Sequence, residues 1–281
     1  MLKKLIKQDF RALSRILVPV QIGVLCASAL AAVLTTITMR TAVYRMDAIT
    51  VGQGLFAGMS ALIVFLIGMA VMASWLVALL VVCMHFFKNF LGDQGYLTFT
   101  LPVSTEKLIW SKLITGMLWL VISGAVICVS GAIFLAFGMA TEGVMNVELI
   151  KDICSVFAGT AGYVSLLTAV ELPIAGVLQL AAFLLELYFA MIVGSQIAKK
   201  HKVLAGIGMY LVINFVVGIV RSLLAAAGFG IGGINFVLNG ELNATAALNA
   251  TLLITIVISA ILSVSFFLWS RHLLKTRLNL Q

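Results

Sequence analysis

The chain has 281 residues, 63% of them hydrophobic and 10% charged, with a formal net charge of +8. A soluble domain carries about 25% charged residues, and the apolar residues here fall in runs longer than a soluble core helix needs. Runs of roughly 18 or more read as bilayer-spanning helices, since about 20 residues cross a hydrocarbon core of about 30 Å, so composition excludes an ordinary soluble domain and points to a multi-pass membrane protein.

The amino end comes first. Leu2, Leu5, Ile6, Phe10, Leu13 and Leu17 share one helical face, and Lys4, Lys7, Arg11 and Arg15 share the other. This predicts an interfacial amphipathic helix over residues 1–15, with its lysines toward anionic lipid. It serves as a topology anchor or as a lever on the first span.

Six apolar blocks follow, at Ile16–Met39, Leu55–Met84, Leu113–Ala140, Leu172–Ala198, Val203–Ala227 and Ala246–Trp269. They are uniformly apolar, whereas barrel strands alternate and are about half as long, so helices are expected. The fold class is an all-α integral membrane protein: one permease-like domain, 1–281, of six transmembrane helices. The first block has a rival reading, because "CASALAA" (Cys26 to Ala32) after a basic start imitates a signal-peptide cleavage region. The long basic region and the apolar continuation through Val33, Leu34 and Ile37 favour a retained span.

Basic residues give the orientation. The amino end, the loop between the second and third blocks, the loop between the fourth and fifth, and the tail hold fourteen of the 18 Lys and Arg. Arg40, Arg45 and Lys151 lie in the opposite set, together with Asp47, Glu142, Glu148, Asp152, Glu171 and Glu241. The positive-inside rule then puts both termini in the cytoplasm of a cell-membrane protein. The positive charge is a topology signal and does not call for nucleic acid.

Catalytic and metal chemistry find no constellation. Cys26, Cys83, Cys128 and Cys154 form no C-x-x-C pair, and His85, His201 and His272 stand separately at span edges. No G-x-x-x-x-G-K-[ST] is present, so this chain cannot bind ATP as a P-loop protein does. "GFGIGG" (Gly228 to Gly233) fits G-x-G-x-x-G but follows a membrane span instead of a strand; it is expected to end the fifth helix. Asn243 and Asn249 each begin N-x-T close to the membrane.

Two charges fall inside spans. An intramembrane carboxylate is a functional candidate because it costs several kcal/mol unless paired or wetted. Glu186 is such a group, and Arg221 is its natural partner, although the two differ in height by roughly 10 Å at 1.5 Å per residue. A bridging pair, the lining of a substrate route and an outward-snorkelling arginine all fit the spacing.

The stretch 85–112 is the most organised polar segment. Residues His85 to Leu91 extend the second helix, "GDQG" supplies a turn with Asp93, and Gly92 and Gly95 permit backbone angles that other residues resist. Leu97, Phe99 and Leu101 alternate with Thr98 and Thr100 as a short strand would. Pro102 ends that piece, and Ser104 caps a helix with Glu106 in its first turn. A cytoplasmic elbow between the second and third spans is expected.

These residues carry a resemblance. "FLGDQGYLTFTLPVSTEKLIWSKL", Phe90 to Leu113, is similar to the D-E-G-Y-L-T-F-T-L-P-V-S segment of bacterial permeases of the ABC-2 type transporter class, with Gln94 where that pattern often has Glu. The likeness covers about two dozen residues. It implies the membrane-spanning half of an ATP-driven exporter, working as a homodimer or heterodimer with a second permease copy or paralogue. ATP and Mg would belong to a separate ABC ATPase subunit, and this chain would hold no cofactor and catalyse nothing itself. On the same resemblance the elbow couples to that ATPase through Asp93, Gly95, Tyr96, Leu97, Thr98, Thr100, Leu101, Pro102 and Ser104. The competing readings are a secondary transporter or channel using Glu186 and a non-transporting membrane or immunity protein.

Overall fold

A computed structural model describes residues 2–43, 51–92, 104–139, 166–198, 201–239 and 244–276. The described residues form six long helices: α1 (Leu2–Val43), α2 (Val51–Phe90), α3 (Thr105–Met139), α4 (Leu166–Ile197), α5 (Lys202–Asn239) and α6 (Ala244–Thr276). Each is long and apolar enough to cross a membrane, and no strand occurs among the described residues. The expectation of an all-α, multi-pass membrane protein holds. The short strand expected at Leu97 to Leu101 lies outside the described residues.

Three elements differ from the sequence expectation. The amphipathic segment is not a separate helix: α1 runs without interruption from Leu2 to Val43, with Pro19 inside it. The composition changes near Arg15, but a change of composition does not end a helix, and a proline is tolerated in a membrane helix where other groups re-satisfy the freed carbonyl. The fifth helix does not stop at the glycines, since α5 continues helical through Gly228–Gly233 to Asn239. A helical glycine costs about 1 kcal/mol relative to alanine, less than the several kcal/mol of an unsatisfied backbone group in hydrocarbon. Lastly, α4 starts at Leu166, so Glu171 belongs to the helix and not to the preceding loop.

The chain divides into two compact units. The first comprises Met1–Ile6, Cys83–Met117 and Ala158–Gln281. Its centre is α4, which packs on both α5 and α6. From Leu184 to Ala190 every α4 residue is buried, so this stretch is enclosed all round, whereas Val170, Leu172, Ile174 and Val177 nearer the start of the helix are exposed. Thr168 Oγ1 donates to Asn249 Oδ1 at 2.8 Å and Ser259 Oγ to Gln179 Oε1 at 2.7 Å. Phe189 then meets Phe266 at 5.4 Å between ring centroids. The sequence offset between partners stays close to 80 residues along these contacts, so α4 and α6 run parallel. Asn249, one of the two N-x-T asparagines, thus spends its carbonyl oxygen inside the bundle.

Helices α4 and α5 are antiparallel neighbours across a very short connection. A Cβ on Gly194 would collide with the backbone of Ala205 and Gly206, and a Cβ on Gly206 would stand 3.3 Å from Met191 Cα. The two backbones touch here because neither residue carries a side chain, the usual device for close helix approach in a membrane.

The second unit comprises Lys7–Val82 and Leu118–Phe157. Phe10 of α1 stacks on Trp119 of α3 at 4.9 Å and 23°, and Gln21 Nε2 donates to Ser123 Oγ at 2.7 Å. Leu13 and Leu17 are buried while Lys7, Arg11 and Arg15 are exposed. The predicted amphipathic face is real, and between Phe10 and Leu17 its apolar side is covered by protein.

Candidate functional site

Two groups of residues in the first unit are the candidates: the helix ends that flank residues 93–103 and the charges inside α4 and α5. At the first, α2 closes with Leu91 N and Gly92 N both donating to Phe87 O, at 2.8 and 2.9 Å. Gly92 is needed for space, since a Cβ there would stand 3.0 Å from Lys88 O, and its backbone is not left-handed. On the other side α3 begins at Thr105, directly after Ser104, whose carbonyl accepts from Lys107 N at 3.0 Å and Leu108 N at 3.3 Å. Ser104 therefore occupies the predicted cap position, with Glu106 in the first turn, where an acidic side chain meets the positive end of the helix dipole.

Both flanks are tied to the bundle. Phe86 of α2 lies flat on Tyr188 of α4, with ring centroids 4.0 Å apart and planes 5° from parallel. The Tyr188 hydroxyl donates to Lys112 O at 3.3 Å. Lys112 is only 7% exposed, and its Nζ stands 3.2 Å from His85 Nε2, which Asn89 Nδ2 also approaches at 3.1 Å. A lysine can only donate, so Nε2 is the acceptor in that contact. These contacts join α2, α3 and α4 around the two ends of the elbow. A second tie runs from α3 to α6, where Glu106 Oε1 pairs with Arg271 Nη2 at 2.8 Å and Trp110 meets Phe267 at 5.4 Å. The Glu106–Arg271 pair is about 40% exposed on each side and is worth only about 0–1 kcal/mol. The buried knot around Tyr188 therefore does most of the holding.

Of the coupling residues expected from the resemblance, Ser104 is placed as described. Asp93, Gly95, Tyr96, Leu97, Thr98, Thr100, Leu101 and Pro102 lie outside the described residues.

In the second group, Glu186 is completely buried in α4. Arg221 Nη2 reaches to 4.0 Å from its Oε2, and Asn214 Nδ2 donates to Oε1 at 3.4 Å and to Tyr210 Oη at 3.2 Å. Counting outward from the Gly194–Gly206 contact puts Asn214 level with Glu186 and Arg221 two turns further on. The arginine closes that gap because side chains lean toward the amino end of their own helix. In an antiparallel pair those directions converge, so Arg221 leans back toward Glu186 as Glu186 leans forward to it. The fit is incomplete: Glu186 Oε2 and Arg221 Nε and Nη2 are buried without a hydrogen bond. Sequence reasoning missed Tyr210 and Asn214, although with Val217 and Arg221 they mark one helical face at steps of four, three and four residues.

Among the described residues no three His, Cys, Asp or Glu side chains converge in a way that could hold a metal ion. No family model, no curated protein and no solved structure matches this chain.

Proposed function

We propose that this chain is the membrane-spanning permease subunit of an ATP-driven transporter of the ABC-2 type, in the plasma membrane with both termini cytoplasmic, and that it works as an exporter. In this reading ATP and Mg bind a separate nucleotide-binding subunit, and a second permease copy or paralogue completes the pathway. The observation that carries it is the anchoring of both ends of the elbow on the α4–α6 bundle. A force applied to the elbow passes through Phe86 and Lys112 to Tyr188 on α4 and through Glu106 to Arg271 on α6. The resemblance of Phe90 to Leu113 to the coupling segment of such permeases supplies the partner, and the positive charge of that loop supplies the side of the membrane. The exposed apolar length of α2, with Leu62, Leu66, Met69 and Leu80 each more than half exposed, offers a face for the second permease.

The test is purification from the native membrane followed by transport in proteoliposomes. A P-loop ATPase is expected to co-purify, and alanine changes across Tyr96 to Leu101 are expected to uncouple ATP hydrolysis from export while leaving the chain in the membrane. Absence of any ATPase, together with export that survives those changes, would remove the reading.

A second reading has one observation in its favour. The unmatched hydrogen-bonding atoms of Glu186 and Arg221 suit a secondary transporter whose coupling ion visits the carboxylate. Transport driven by an ion gradient without ATP, and lost in Glu186→Gln, would favour it over the permease.

A further inference from the structure

Asn214 of α5 stands near the middle of the apolar run Val203–Ala227, and its side chain is exposed. Leu211, Val212, Phe215 and Val216 around it are each more than half exposed, so this is surface that hydrocarbon would otherwise wet. A bare carboxamide does not belong there. Lipid tails offer a polar group nothing to bond, and an asparagine in a membrane helix finds its partner on another helix.

Bonds within the chain satisfy only part of the group. Asn214 Nδ2 donates to Glu186 Oε1 at 3.4 Å and to Tyr210 Oη at 3.2 Å, which commits both of its hydrogens. One acceptor and one donor are left over. Asn214 Oδ1 accepts from none of the described residues, and the Tyr210 hydroxyl, whose oxygen already accepts, has no acceptor among them for its own hydrogen. Tyr210 is itself partly exposed, and its ring stands edge-on to Phe183 at 6.5 Å and 83°.

The leftover pair selects the occupant. A donor and an acceptor side by side are complementary to themselves under a two-fold rotation, the operation that relates the subunits of most homodimers. Rotation lays the acceptor of one copy on the donor of the other, twice. Hydrocarbon satisfies neither group, and a water-filled route would be lined by more polar side chains than this face, whose exposed neighbours are Leu, Val and Phe. The exposed length of α2 carries no such mark, since Leu62, Leu66, Met69 and Leu80 are at home in lipid.

We propose that a second copy of this chain docks on α5, where Asn214 Oδ1 of each copy accepts a hydrogen bond from the hydroxyl of the partner's Tyr210. The hydrogen-bonded group around Glu186 is then completed by two copies. This deepens the two-permease part of the reading above by moving the second copy from α2 to α5, and it needs no ATPase.

Full-length protein purified without an ATPase and reconstituted at falling density in lipid vesicles provides the test, with copies counted by single-molecule photobleaching. A dimer is expected. Tyr210→Phe keeps the ring against Phe183 and removes only the hydroxyl, so it should weaken the dimer about 5–100-fold, as loss of two hydrogen bonds does. A hydroxyl that mattered only inside one chain would lower resistance to unfolding and leave dissociation unchanged. Cross-linking gives an independent readout, in a chain whose four cysteines are replaced by alanine. Tyr210→Cys in one tagged copy should form a disulfide with Asn214→Cys in another, in higher yield than Val216→Cys with itself, because Val216 lies on the opposite side of α5. Each variant is compared only as a monodisperse species. The proposal is overturned by monomers at every density, by a dimer indifferent to Tyr210→Phe, or by cross-linking that follows Leu66→Cys on α2 in place of the mixed pair. A monomer here leaves the coupling reading to its own co-purification test, and a dimer that never brings down an ATPase removes that reading while leaving the α5 interface in place.

Discussion

Gly194→Ala is expected to weaken the protein by about 1–2 kcal/mol, because its Cβ would enter the backbone of Ala205 and Gly206. A clash with a flexible side-chain tip is relieved by rotation, whereas a clash with backbone moves the whole of α5 against α4, and overpacking of this kind costs typically 1–3 kcal/mol. Alanine's better helix propensity, worth up to about 1 kcal/mol, offsets part of this. Gly208→Ala and Gly218→Ala on the neighbouring α5 are the controls, since a Cβ at either meets nothing within 4 Å. Reversible unfolding in mixed micelles measures all three. If Gly194→Ala proves no more harmful than the controls, the backbone contact between α4 and α5 is wrong.

A loss of about 3 kcal/mol is likewise expected for Arg221→Ala, and the smaller effect of Glu186→Gln is the informative comparison. Removing the arginine strands a carboxylate with no exposure at all, and breaking a buried pair from one side costs about 3–5 kcal/mol. The 4.0 Å separation and the 27% exposure of Arg221 put this pair at the low end. Removing the carboxylate is gentler. Glutamine still bonds Asn214, and an arginine already partly exposed can turn its guanidinium toward water along its long stem. The double variant Glu186→Gln with Arg221→Met should recover most of the loss, because nothing charged is then left without a counterpart. Equal damage from both single variants would show that Glu186 does not depend on Arg221.

Much of this was legible in the residues, and the parts that were not share a cause. Runs of apolar residues gave all six spans, because hydrocarbon thickness sets a length that composition must meet. Helix ends were less legible. Arg15, Glu171 and Gly228 each mark a change of residue type, but inside a bilayer the helix persists until the backbone can find other partners, and residue type alone does not reveal where that is. The roughly 10 Å offset between Glu186 and Arg221 was read correctly from spacing. What the spacing lacked was direction: side-chain lean is a three-dimensional property, and it converges only once α4 and α5 are known to run antiparallel with a backbone contact at Gly194. The base of the elbow shows the same limit. Ser104 as a cap is local chemistry and was readable, whereas the stacking of Phe86 on Tyr188 joins residues about a hundred positions apart and has no local signal.

The enclosed stretch of α4 has a consequence for biogenesis. This helix holds Gln179 and Glu186 in its middle, and a carboxylate at a helix centre costs about 2.5–3.5 kcal/mol on scales of membrane insertion. Its partners Asn214 and Arg221 are synthesised only afterwards, on α5. The α4–α5 hairpin is therefore the smallest piece that can enter lipid with the Glu186 carboxylate matched, and α4 should wait beside the insertion machinery until α5 arrives. Nascent chains truncated after Ala198 are expected to integrate α4 poorly, and chains extended through Asn239 to integrate it well. Equal integration at both lengths would mean that α4 enters the bilayer without its neighbour.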